Sequence, residues 1–393
     1  MRCDRSAETM TMSLSMLEPG GEPPTPYLRV DLDAVSDAYR AMRDALPEAR
    51  VHYAMKCNPA RPILSLLRAH GASFEIASAA ELRELQAIGV PPADVLFSNP
   101  VKVAAQVRQA WVAGVHRFAA DSDVELDKIA AMAPGASVYV RLATAAADSA
   151  VHSEGKFGVY PAEVARLLRG ARARGLRPYG ITFHVGSQMT DPSAWAAAIE
   201  RCGAVMNDLR GDGIRLTMLD VGGGFPARYD SDVPDLQTYA KHIRTAIEQY
   251  VPYPVELVVE PGRAMVAESG VMVATVIGLA RRAGARWAHL DVGAFNGFME
   301  SLETGTALSY PVRDSRDSVR RDRFHLTGPS CDSQDTLRYG VPLSADLAVG
   351  DRVYIHVAGA YTTAYASRFN GFDLPGIRFV GSGALVGSED AAA

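Results

Sequence analysis

The chain has 393 residues, 48% of them hydrophobic and 22% charged, with a formal net charge of −5. That describes an ordinary globular protein of about two domains, without the basic footprint of a nucleic-acid or anionic-lipid binder; a small cationic ligand suits the field better. Four scattered cysteines, Cys3, Cys57, Cys202 and Cys331, form neither a disulfide framework nor a metal cluster and suggest a reducing cytoplasm, and no apolar run reaches the roughly 18 residues of a membrane span.

Residues 1–25, ending in EPGGEPPTP, read as a disordered lead-in without the apolar core of a signal peptide. From there the chain alternates strand and helix. Short β-rich runs are expected at 49–55, 73–77, 95–99, 117–121, 137–143, 180–185, 218–222 and 256–260. Several are almost uninterrupted apolar runs, as parallel strands covered on both faces should be. Ser78-Ala79-Ala80-Glu81 reads as a capping box, followed by the stripe Leu82, Leu85 and Ile88 and a stop at Gly89. Pro161 suits a first helical turn, and 195–209 and 236–251 carry helical spacing. Eight strand–helix units predict a (β/α)₈ barrel over 26–265. An open doubly wound sheet would suit the same alternation, but no GxGxxG follows the first strand. After about residue 265 the runs 270–280, 286–293, 351–359 and 376–381 alternate or turn β-branched, predicting a mainly antiparallel β domain over 266–393.

The chemistry should sit at the C-terminal ends of the barrel strands. Lys56 closes the first run, in YAMKCNP, where partly apolar surroundings should weaken its preference for charge and make its amine a nucleophile toward an aldehyde. The seventh strand ends in DVGGGFP, whose Gly222, Gly223 and Gly224 let backbone N–H groups approach an anion; Gly262 and Arg263 of EPGR can close the same cradle. Glu260, ending the eighth strand, would keep a ring nitrogen protonated, the requirement for the electron sink of pyridoxal phosphate. His184 in HVGSQ could stack on a flat cofactor, and Ser187 could donate to phosphate.

YAMKCNP, HVGSQ, DVGGGFP, EPGR, GPSCDSQD and GAYTTAYASRFNGF occur in an order that resembles fold-type III pyridoxal-phosphate decarboxylases, specifically the ornithine/lysine branch, from about residue 26 onward. The resemblance implies an alanine racemase-like barrel plus β domain, working as a homodimer with shared sites. It implies that Lys56 holds the cofactor covalently, His184 stacks on it and Glu260 pairs with its ring nitrogen. Ser187, Gly222, Gly223, Gly224, Gly262, Arg263 and Tyr361 would hold the phosphate. Cys331 and Asp332 would enter from the partner subunit, the first as proton donor after CO₂ leaves, the second binding the distal ammonium; Phe369 would form part of the wall. Read without the resemblance, Cys331 is a buried small residue and Asp332 a turn former.

Three departures stand out. Glu75 replaces the usual aspartate and is one methylene longer. VHSEGKFG has no arginine, and Glu81 matches a family carboxylate while its capping box explains it nearly as well. In FNGFMESLETG, Ser301 stands where eukaryotic ornithine decarboxylases carry a substrate-binding aspartate, leaving Glu300 and Glu303 as candidate acidic groups for a substrate amine. The expected reaction is decarboxylation of L-ornithine to putrescine, ahead of L-lysine to cadaverine. Diaminopimelate decarboxylase normally carries glutamate after the cysteine, against CDSQD here. An amino-acid racemase on the same barrel and a non-catalytic homologue that kept the fold are weaker rivals, since Cys331 suits one-sided protonation and Lys56, His184, Glu260 and Tyr361 are all intact.

Overall fold

A computed structural model describes residues 23–144, 149–151, 155–305, 308–316 and 318–382. The expected lead-in lies almost wholly outside the described residues, as do parts of the VHSEGKFG segment. Strands in chain order are β1 (Tyr27–Asp31), β2 (Ala49–Ala54), β3 (Ser73–Ile76), β4 (Val95–Phe97), β5 (Arg117–Ala120), β6 (Ser137–Leu142) and β7 (Ser149–Val151). They continue with β8 (Arg177–Phe183), β9 (Ser187–Met189), β10 (Met218–Asp220), β11 (Glu256–Val259), β12 (Gly270–Arg282) and β13 (Ala285–Leu290). The last are β14 (Val312–Asp314), β15 (Arg321–Thr327), β16 (Thr336–Ser344), β17 (Arg352–His356) and β18 (Gly376–Val380).

Eight strands, β2, β3, β4, β5, β6, β8, β10 and β11, close into a parallel barrel, and they are the eight expected from the sequence. Leu96, Ala119, Tyr139, Tyr179, Met218 and Val258 plug its lumen with apolar side chains. At the start of the helix Ala79–Ala87, Ser78 accepts from the Glu81 N–H as a capping box requires, while Glu81 reaches back to accept from the N–H of Ala77, one residue before the cap, at 2.5 Å. Gly89, at φ +78°, follows its end. Glu81 is thus spent on the helix start.

The second sheet joins β14, β17, β12, β13, β15 and β16 along one path, antiparallel except for the parallel pair β13–β15, with β1 attached beside β12 and β18 beside β1. One strand departs from the expected boundary at residue 26. β1 pairs antiparallel with β12 and parallel with β18, so the first described strand belongs to this sheet and not to the barrel. Its YLRVD alternation buries Leu28 and Val30 on one face, and Asp31 then caps the helix Leu32–Ala45 that leads into the barrel. Among the described residues no helix is long and apolar enough to cross a membrane.

Candidate active site

Lys56 sits in a single 3₁₀ turn, Met55–Cys57, immediately after β2. Its neighbours Met55 and Cys57 are buried, while its own side chain is 49% exposed at the barrel mouth. Pairing of Ala54 with Glu75 across β2 and β3 sets the Glu75 carboxylate 3.1 and 3.3 Å from Nζ. The longer side chain therefore does reach the lysine. Burial pulls the Lys56 amine down, but the charges of Glu75 and Glu260 more than offset it, and the net shift is upward. This corrects the expectation of a lysine eased toward neutrality: two carboxylates outweigh the apolar walls.

Glu260, just past β11, belongs to a group of polar residues at the strand ends. Ser98, past β4, donates to Glu260 Oε1 at 2.5 Å and lies 2.9 Å from the hydroxyl of Tyr139 on β6. Asp220, fully buried at the end of β10, accepts from Thr182 at 2.8 Å and from the Gly222 N–H at 2.9 Å. Burial pushes Asp220 up to about 6, and burial together with the charges of Asp220 and Glu75 pushes Glu260 well above the carboxylate range. His184 is held down to about 3 by burial and by the cations of Arg141 and Lys56, so its ring is neutral at ordinary pH. A Cβ on Gly223 would come 3.6 Å from His184 Cε1, which places this loop against the imidazole.

The glycines answer first to backbone packing. A Cβ on Gly222 would lie 2.0 Å from the Phe183 carbonyl, on Gly223 2.4 Å from that of Glu260, and on Gly224 2.5 Å from that of Gly186. Gly222 and Gly224 also take φ of +66° and +102°. Three strand ends can crowd together there only because these positions lack side chains. At Gly262 the contact is looser, 3.1 Å to Cys57 Cβ.

Arg263 is buried beside them. Its Nη1 reaches Tyr229 at 2.7 Å and Glu300 at 3.0 Å; its Nη2 reaches Ser187 at 3.0 Å and the other Glu300 oxygen. The guanidinium lies 4.9 Å from the ring centre of Tyr361, whose N–H donates to the Cys57 carbonyl at 2.9 Å. Arg263 Nε alone among these donors is buried without a partner. Glu300, expected to face a substrate amine, is instead buried in a two-point ion pair with this arginine. Ser301 is buried and donates to the Phe298 carbonyl, while Glu303 on the same short helix, Glu300–Thr304, is exposed.

Cys331, Asp332 and Phe369 form a separate, exposed set. Asn370 donates to Cys331 Sγ at 3.4 Å, Phe369 packs on Phe295 with ring centres 4.6 Å apart, and Asp332 accepts from the Gln334 N–H at 2.8 Å. Buried Asp335 anchors their loop through the N–H groups of Ala294 and Ser330. None of these contacts reaches the Lys56 group. Exposure of Cys331 overturns the reading of a buried small residue, while Asp332 does form a turn.

Sequence reasoning missed Ser98, Tyr139, Arg141, Thr182, Asp220 and Tyr229. A polar residue near the end of an otherwise apolar strand, such as Arg141 or Asp220, was an available signal. Tyr229 carried none.

A half-exposed amine, a carboxyl held by Ser98 just past β11 and a buried donor without an acceptor beside a serine hydroxyl fit an aldehyde, a ring nitrogen and a phosphate respectively. These parts, arranged around the mouth of a parallel barrel, define a pyridoxal-phosphate enzyme. Residues 32–267 match the family described as pyridoxal-dependent decarboxylase, pyridoxal binding domain, and the chain belongs to that family. It is 37% identical over 355 residues to a lysine/ornithine decarboxylase of Selenomonas ruminantium, covering 89% of this chain and 88% of the relative. A solved lysine/ornithine decarboxylase from Vibrio vulnificus, complexed with putrescine, superposes with a TM-score of 0.83 at 33% identity, covering 91% of this chain and 94% of the other. The arginine decarboxylase of Paramecium bursaria Chlorella virus, bound to agmatine, gives 0.85 at 28% identity, covering 91% and 98%. The chain is a pyridoxal-phosphate-dependent decarboxylase of basic amino acids.

Proposed function

We propose that the enzyme prefers L-ornithine, releasing putrescine, and takes L-lysine second. Pyridoxal phosphate, when bound, supplies an electrophilic aldehyde and a ring that accepts the electron pair left by departing CO₂. The chain's own groups would do the rest. Lys56 offers the amine, and Glu75, 3.1 Å away, can take the proton that the amine must lose to react. Glu260 holds a proton at the ring nitrogen, and the neutral imidazole of His184 covers the ring face. Arg263 Nε, Ser187, the Gly222–Gly224 loop, Gly262 and Tyr361 surround the phosphate.

Cys331 and Asp332 complete the site from a second copy of the chain: Cys331 returns a proton to Cα and Asp332 binds the distal ammonium, with Phe369 walling the pocket. The observation that carries this reading is the Lys56–Glu75–Glu260 cluster at the barrel mouth, with the Cys331 set exposed elsewhere on the same chain. Glu303 is the remaining acidic candidate for the substrate's far end. Free thiols at Cys57, Cys202 and Cys331 support a place in the reducing cytoplasm. The test is CO₂ and diamine release from L-ornithine, L-lysine, L-arginine and meso-diaminopimelate. Ornithine should show the highest kcat/KM, and a preference for arginine or diaminopimelate refutes the assignment.

A further inference from the structure

Glu260 stands among strong competitors. Asp220 and Glu75 repel its charge, Lys56 and Arg141 attract it, and the Tyr139 hydroxyl lies close by. A carboxylate on three rotatable bonds could turn toward Lys56, making an ion pair that withdraws the reactive amine. One directed hydrogen bond acts against this. Ser98 donates to Oε1 at 2.5 Å, and its single hydroxyl proton is then committed, so Tyr139, 2.9 Å away, must be the donor of the second bond.

Both groups are firmly held. The Ser98 N–H donates to the Ile76 carbonyl at 3.1 Å, which fixes the end of β4 against β3. Tyr139 is fully buried in the barrel lumen. The relay therefore runs from the barrel core, through Ser98, to one oxygen of Glu260.

We propose that Ser98, braced by Tyr139, is a positioning residue that keeps the Glu260 carboxyl directed at the cofactor's ring nitrogen and away from Lys56. This rests on reading Glu260 as the ring partner. Ser98 touches no reacting atom; it acts through the group that does. Its serine-specific feature is the hydroxyl alone, so alanine removes the bond without adding bulk.

In Ser98→Ala, kcat should fall about tenfold with KM changed less than about twofold, since the ring's electron demand grows only in the transition state. Ser98→Thr should restore most of the rate, and Tyr139→Phe should show a smaller loss in the same sense. A second readout needs no turnover: the apoenzyme's capture of pyridoxal phosphate, followed by visible absorbance, should slow several-fold in Ser98→Ala as Glu260 engages Lys56. Unchanged kcat and capture rate in Ser98→Ala overturn the proposal, as does a loss confined to KM or one that threonine fails to rescue in a folded protein. Glu260→Gln separates the two levels. If it leaves kcat intact, the reading of Glu260 fails; if it abolishes turnover while Ser98→Ala behaves as wild type, only the role of Ser98 fails.

Discussion

Two inactive variants should make one active enzyme. Lys56→Ala removes the amine of one residue set, and Cys331→Ala removes the thiol of the other. The two sets share no hydrogen bond or ring contact among the described residues of a single chain. If each site draws Lys56 from one subunit and Cys331 from the other, a mixed dimer contains one intact site and one doubly defective site. Random reassortment of equal amounts places half the dimers in the mixed form, so total activity should recover to about a quarter of wild type. The assay is diamine formation after the variants are mixed, mildly dissociated and returned to native conditions. Exchange is checked independently by mass-tagging one variant. Recovery near a quarter supports a site built across two copies. No recovery, with exchange demonstrated, refutes the reasoning, since a site contained within one chain cannot be complemented this way.

Three further outcomes follow from the packing and charge. Gly222→Ala should destabilise the protein by about 3 kcal/mol or more, because the new methyl meets a carbonyl at 2.0 Å and the backbone sits at φ +66°; denaturant melts with an unshifted midpoint would argue against it. Glu300→Ala leaves buried Arg263 without its carboxylate and should cost about 3–5 kcal/mol in the same assay; a cost under about 1 kcal/mol would show the pair to be weak. His52 is fully buried and held down to about 3 by burial and by Arg117, against an ordinary 6.5. The unfolded chain takes up a proton below that value and the folded chain does not, so His52 costs stability as pH falls below 6.5, by about 1.4 kcal/mol per pH unit. Asp220, raised to about 6, works in the opposite sense between its ordinary 3.8 and that value, so the measurement is the difference between wild type and His52→Gln. An unchanged slope in the variant would remove His52 from the account.

The sequence alone determined the barrel. Eight apolar runs separated by helical spacing, capped as at Ser78, carry the strand–helix repeat because side-chain periodicity and capping are local properties. It also determined the placement of Lys56, His184 and Glu260 at strand ends and the glycines between them, since each lies within a short motif whose backbone form depends on its own residues. What it could not decide was which distant groups meet. β1 reads as any alternating strand, and only closure of the second sheet places it between β12 and β18. Glu300 was an acidic residue near a pocket until the fold set it against Arg263, 37 residues away in sequence. Ser98 and Glu260 are separated by 162 residues and become partners only when β4 and β11 close into one ring. Lys56 itself carries more charge preference than its apolar flanks implied, because Glu75 and Glu260 arrive from other strands. Local pattern selects elements. Electrostatics and hydrogen bonding between elements depend on distances that exist only once the chain has folded.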